Sequence, residues 1–228
     1  MLEGAMPHLN PILQPASAVI FDMDGVLADT EPVYERALGV VLAERGAAVS
    51  AAEYAALVGM SSEATWRWVV DRFGLPDAPG ELLEYESVLI PALLHGLVAA
   101  PGVTELITML RTQSVPLALG SSARRPLVEA VLTRIGLADS FSAVVSGDDA
   151  RHGKPHPAIF LEAAHRLGVA ASACVVIEDS LPGMRAGRSA GMTVVGVRSR
   201  YTLGLELPAD LIVESLTELL CPSDMPSG

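Results

Sequence analysis

The sequence predicts an α/β fold: a Rossmann-like, three-layer core built on a parallel sheet, with an all-helical cap domain inserted into it. Three observations carry this reading. Short apolar runs alternate with helical patterns, as expected of strands buried on both faces and joined by crossover helices. The rhythm breaks once, between about residues 32 and 100, where helical patterns follow one another without a convincing strand. Three of the apolar runs end in small polar or acidic residues, at the edge where an open parallel sheet binds its ligands.

Taken in order, Ala18–Phe21 (AVIF) is the first strand and ends in Asp22. Helices are expected over residues 33–45, 51–58, 63–73 and 80–98, punctuated by Gly74, Pro76, Pro79 and Gly80. The chain re-enters the core near Pro101 and Gly102, which divides it into a core of 1–31 with 100–228 and a cap of 32–99. Core strands follow at 115–119, Ala143–Val145, 174–177, Thr193–Val197 and Leu211–Val213, with helices at 125–135, 157–167 and 182–189. Pro157 suits the first turn of its helix, where a missing N–H costs nothing. An insertion leaving from the ligand-binding edge would cover the site as a lid. Trp66 and Trp68, two apart, cannot share a helix face. One is expected to pack inside and the other is a candidate for the pocket wall.

Composition excludes several classes of function. The 228 residues carry a net charge of −12 and half are hydrophobic. Such an acidic chain, with Lys154 its only lysine, suits neither nucleic acid nor an anionic membrane surface. The longest apolar run, 88–100, is broken by Pro91, His95 and Gly96, so no membrane span is expected. The first 15 residues lack a basic segment and a long apolar stretch, so no signal peptide is expected. Cys174 and Cys221 make no disulfide framework, and a cytoplasmic protein is the natural reading. Monomer and homodimer stay equally open.

The polar residues at the strand ends carry the chemistry. Asp22-Met23-Asp24-Gly25 places two carboxylates and free N–H groups in a tight loop, or simply two solvated acids. Gly120-Ser121-Ser122 offers hydroxyls and N–H groups to an anion, or a cap to the next helix. Lys154 stands before Pro155-His156-Pro157, in a chain that otherwise uses fourteen arginines, which suggests a point charge that a planar guanidinium cannot replace. Glu178-Asp179-Ser180 follows CVVI; its acids are either solvated or, clustered with Asp22, hard ligands suited to Mg2+.

In this order and at these strand ends, FDMDGVLADTEP, LALGSS, GKPHPAIF and VVIEDSLPGMRAGRSAGM resemble the haloacid-dehalogenase-like phosphotransferase superfamily, in its subgroup with a helical cap after the first motif. The resemblance spans about residues 18–213. It implies that Asp22 is a nucleophile forming an aspartyl-phosphate and that Asp24 is the general acid and base. It further implies that Ser121, Ser122, Gly25 and backbone N–H groups hold the phosphoryl oxygens and that Lys154 offsets the charge. Arg124, following the phosphate loop, is a candidate substrate contact, with a helix-surface role as the alternative. Mg2+ would be held by Asp22, the Asp24 backbone carbonyl and Asp179, with Glu178 acting through water.

The expected activity is therefore Mg2+-dependent hydrolysis of a small phosphorylated metabolite, a sugar or polyol phosphate first and phosphoglycolate second. Dehalogenases of the family lack the second acid, which Asp24 supplies here. A phosphonoacetaldehyde hydrolase needs a cap lysine, which this chain lacks. The alternative is a β-phosphoglucomutase-like mutase. Such mutases carry an arginine after a cap Gly-x-Ser turn, where this chain has Ser62 after Gly59-Met60-Ser61, and a histidine where it has Tyr34. Arg36, Arg67, Arg124 and Arg125 are the residues available to replace that cationic grip. A non-enzymatic binding protein is the third possibility, disfavoured because every position of the pattern is filled. Thr30, beside the first linker, is expected as a hinge or helix cap.

Overall fold

The computed structural model describes residues 8–57, 60 and 62–221. A short strand β1 (His8–Leu9) precedes β2 (Ala18–Phe21). Four helices follow: α1 (Glu31–Ala43), α2 (Ala51–Leu57), α3 (Ser62–Phe73) and α4 (Pro79–Leu93). The chain then runs through α5 (Val103–Thr112), β3 (Leu117–Gly120), α6 (Arg125–Arg134), β4 (Ala143–Val145), α7 (Ala158–Leu167) and β5 (Cys174–Glu178). It ends with α8 (Leu181–Ser189), β6 (Thr193–Val197), β7 (Leu211–Val213) and β8 (Leu220–Cys221), the last paired antiparallel with β1.

Six strands form one parallel sheet in the order β4-β3-β2-β5-β6-β7. Its central strands are buried and mostly apolar because both faces are covered. Along β2, Val19 and Phe21 pack with residues of α5 and α6, while Ala18 and Ile20 pack with residues of α7 and α8. The helices between β2 and α5 have an apolar core of their own, which includes Leu38, Leu42, Tyr54, Trp66, Val69 and Leu82. Where the chain leaves and rejoins the sheet layer it is tied to itself, the Ala100 N–H donating to the Leu27 carbonyl at 2.8 Å. No helix among the described residues is long and apolar enough to cross a membrane.

Three features differ from the sequence expectation. Helix α4 stops at Leu93 rather than residue 98, because Pro91 removes a donor in its last turn and Gly96 takes φ +82. Helix α5 was not expected, although its buried Val103, Leu106, Ile107 and Leu110 stand at helical spacing. It starts from Gly102, at φ +83, where a Cβ would lie 2.6 Å from the Thr217 nitrogen. The two-residue strands β1 and β8 are too short to leave a pattern. Val58, the expected end of the second helix, Gly59 and Ser61 of the cap turn, and residues 1–7 lie outside the described residues.

One carboxylate at the surface ties the region beyond β4 together. Asp149 accepts from the Ser146 N–H (2.8 Å) and hydroxyl (2.6 Å), Arg125 Nη2 (2.5 Å) and Arg166 Nη2 (3.1 Å). Burial raises its pKa, but these hydrogen bonds override that and hold it well below the usual carboxylate range. A depressed carboxylate stabilises the fold above its unfolded pKa of about 3.9, and that contribution fades as the pH falls further. Asp149→Ala is expected to cost about 2–3 kcal/mol. The measurement is a urea midpoint, lowered at neutral pH, with the difference from the parent chain narrowing in acid.

Candidate active site

The site grows from the pairing of two central strands. Phe21 of β2 lies opposite Ile177 of β5, so Asp22 and Glu178 emerge side by side at the C-terminal edge of the sheet. The Asp22 N–H continues the ladder onto the Ile177 carbonyl at 2.9 Å. Lys154, from the loop before α7, reaches between them. Its Nζ donates to Asp22 Oδ1 at 2.5 Å and to Glu178 Oε1 at 2.7 Å, and its side chain is 6% exposed. The ammonium also lies 4.9 Å from the centroid of the Phe160 ring. Glu178 is fully buried, and its Oε2 accepts from the Ser180 N–H at 2.6 Å.

Two glycines make room for the acids. At Gly183, in the first turn of α8, a Cβ would lie 1.7 Å from Glu178 Oε1. At Gly25, with φ +75, a Cβ would lie 2.1 Å from Asp179 Oδ2. Gly25 was expected to offer an N–H to phosphate. Its visible constraint is steric: only a residue without a side chain admits Asp179. Gly183 was missed from sequence, although a glycine two residues into a helix is a local anomaly.

Asp24 is held from the insertion side. The Thr30 hydroxyl donates to Asp24 Oδ1, and Tyr34 also hydrogen-bonds this carboxylate. Thr30 precedes α1 but makes no side-chain capping bond, so the expectation of a helix cap gives way to a contact with Asp24. Ser121 is buried, with its N–H on the Val145 carbonyl (3.0 Å) and its Oγ accepting from the Ala123 N–H (3.1 Å). Of this pair, Ser122 lines the cavity. Arg124 does not line it. Its guanidinium faces Glu84 of α4 and Asp148, each at 3.5 Å. Trp66 is buried, with its Nε1–H donated to Glu86 at 3.0 Å, and Trp68 packs edge-on against Phe73; neither lines the cavity.

The cavity, about 330 Å3, lies between the sheet edge and the helical insertion. Ligand oxygens of Asp22, Glu178 and Asp179 fall within 4.8 Å of one another on its floor. Burial pushes the Asp22 carboxyl up to about 8, against the pull of Lys154 and with a further push from Glu178 and Asp24. Asp179 is driven well above the usual range, by burial first and then by Glu178 and Asp22. Burial opposes the charge on Lys154, but Asp22 and Glu178 outweigh it and raise its pKa. Four carboxylates thus converge on one ammonium. An all-oxygen, negatively overcharged and largely buried cluster fits a hard divalent cation.

A family model described as haloacid dehalogenase-like hydrolase matches residues 16–191. The chain is 33% identical over 216 residues to a bifunctional riboflavin kinase/FMN phosphatase of Arabidopsis thaliana, covering 94% of this chain but only 57% of that longer one. It is 33% identical over 185 residues to the fructose-1-phosphate phosphatase YqaB of Escherichia coli (strain K12), covering 80% of this chain and 96% of the relative. The crystal structure of CbbY from Rhodobacter sphaeroides in complex with phosphate matches with a TM-score of 0.83 at 26% identity, over 90% of this chain and 96% of that one.

Gly183→Ala is expected to force Glu178 out of place in a site that has no slack. Overpacking of this kind costs about 1–3 kcal/mol, with a fall in Tm of about 2–4 °C for each kcal/mol. Calorimetric titration should show weaker divalent-cation binding in the same variant.

Proposed function

Because this chain belongs to the haloacid dehalogenase-like hydrolases, whose family model covers residues 16–191, we propose that it is a Mg2+-dependent phosphatase of a small phosphorylated metabolite, a sugar or polyol phosphate. The observation that carries the reading is the Asp22–Lys154–Glu178 arrangement under a cavity sized for a small molecule. The relative named fructose-1-phosphate phosphatase supports the substrate class.

In this reading Asp22 attacks phosphorus while Asp24, whose pKa burial raises, gives its proton to the leaving oxygen. The P–O bond to the alcohol breaks and an aspartyl-phosphate forms. Asp24, now a base, takes a proton from water, which attacks phosphorus, releases phosphate and restores Asp22. The Ser121 and Ser122 hydroxyls orient the phosphoryl oxygens, the Gly25 N–H being held by the Ala28 carbonyl at 2.9 Å, and Lys154 holds Asp22 and offsets charge. Asp22, Asp179 and the Asp24 backbone carbonyl would hold Mg2+, with Glu178 behind it, and the ion would neutralise charge on the phosphoryl group. Residues 32–99 act as a cap that closes over 1–31 and 100–228 and excludes water. A cytoplasmic location rests on cysteine usage, since both thiols are free.

The arginines argue for hydrolysis over the mutase alternative, which needs a grip on a second phosphate. Arg36 donates to the Leu93 carbonyl, Arg67 pairs with Glu63, Arg124 with Glu84 and Asp148, and Arg125 with Asp149. None lines the cavity among the described residues.

Phosphate release from a sugar-phosphate panel is the test. It is expected to require Mg2+ and to stop on chelation. Asp22→Asn is expected to abolish it with the fold intact, and Asp24→Ala to slow it about 10²–10⁴-fold. Conversion of β-glucose 1-phosphate to glucose 6-phosphate, without phosphate release, would move the assignment to the mutase.

A further inference from the structure

We propose that Glu31 and Glu86, two carboxylates which helices α1 and α4 present to the cavity, select a substrate whose tail is uncharged and hydroxylated and reject one with a second anionic group. This rests on the phosphatase reading and adds to it the part of the substrate that does not react.

The cavity has two chemically different ends. Lys154 and the metal-fitting acids lie at the sheet edge. The opposite wall, formed by α1 to α4, contributes Glu31, Tyr34, Tyr54, Ser62, Thr65 and Glu86. Six carboxylates line the whole cavity (Asp22, Asp24, Glu31, Glu86, Glu178 and Asp179), and the one lining cation among the described residues is Lys154, already paired twice.

The basic residues of the insertion are engaged elsewhere. Arg36 donates to the Leu93 carbonyl. Arg45 binds Asp77 through two nitrogens, at 3.0 and 2.8 Å. Arg67 pairs with Glu63 and Arg72 with Glu53. Arg200, whose charge attracts Glu31, lies over the Tyr201 ring, 4.8 Å from its centroid, and does not line the cavity.

Both acids are held in place. Glu86 Oε2 accepts from Trp66 Nε1–H at 3.0 Å, and the Ser62 side chain also hydrogen-bonds this carboxylate. Glu31 Oε2 accepts from the Tyr54 hydroxyl at 2.8 Å. Each carboxylate has about four acceptor sites, so capacity remains for the hydroxyls of a polyol. Burial already pushes both pKa values upward, Glu31 to about 7 against its bond from Tyr54. A carboxylate or second phosphate entering here would face two carboxyl groups in a space where burial already disfavours negative charge, with no lining cation on this wall to pair with it. Phosphoglycolate, whose tail is a carboxylate, falls on the rejected side.

The experiment compares kcat/KM for neutral-tailed fructose 1-phosphate and a hexitol 6-phosphate with that for phosphoglycolate and fructose 1,6-bisphosphate, and includes p-nitrophenyl phosphate as a general phosphoester. The parent enzyme is expected to favour the neutral tails at least about tenfold. Glu86→Gln and Glu31→Gln, both isosteric, are expected to raise KM for neutral tails and lower it for anionic ones. A merely structural role would shift both classes alike, and that result overturns the proposal. Equal or better turnover of the anionic tails by the parent enzyme overturns it without any variant. If the parent hydrolyses p-nitrophenyl phosphate but shows no tail preference, selection alone fails. If it hydrolyses nothing on the panel, the phosphatase reading fails and the proposal goes with it.

Discussion

Burying an ammonium between two carboxylates is the constraint on which the rest of this structure depends. Each of Asp22, Lys154 and Glu178 would be costly to bury alone, and leaving any one unpaired in the interior is worse than never having buried it. The sheet meets this by bringing three distant pieces of chain to one edge: the end of β2, the end of β5 and the loop before α7. The order β4-β3-β2-β5-β6-β7 makes this possible, because it seats β5 beside β2 although most of the chain's helices lie between them in sequence. Lys154 satisfies both strand ends at once, yet the negative charge still exceeds the positive. That imbalance is what a divalent ion would offset.

The close packing of acids is bounded by what lacks a side chain. Gly25 and Gly183 lie within van der Waals distance of Asp179 and Glu178, so those carboxylates are positioned by absent volume as much as by hydrogen bonds. Gly147 does the same for the loop opposite, where a Cβ would lie 2.4 Å from the Ser122 carbonyl. Rigid backbone then sets the distances between charges, and a site whose chemistry is electrostatic needs those distances fixed before substrate arrives.

How much was legible in the sequence follows from how each contact is encoded. The strand ends were legible, because an apolar run that stops at Asp22, Ser121 or Glu178 announces both the strand and the group placed at its edge. The neighbours of those groups were not. Thr30 reads as a cap from its place before α1, yet its hydroxyl turns to Asp24, six residues earlier. Arg124 follows the two serines and reads as a substrate contact, but the backbone entering α6 aims it at Glu84, forty residues away in sequence. Glu86 meets Trp66 only because α3 and α4 pack together. Such pairs are set by helix packing, which leaves no local spacing to read. The end of α4 was misjudged because apolar residues continue past Pro91 while the backbone does not continue as helix.

The lone lysine has a consequence for how this protein can be marked. Its one ε-amine lines the candidate active-site cavity between Asp22 and Glu178, with 6% of the side chain exposed, and the fourteen arginines cannot stand in for it chemically. Acetylation, isopeptide tagging and amine-directed crosslinking all require a free and reachable amine. On the folded chain they find no lysine to address, so any reagent or enzyme that modifies Lys154 must first take the candidate active site apart.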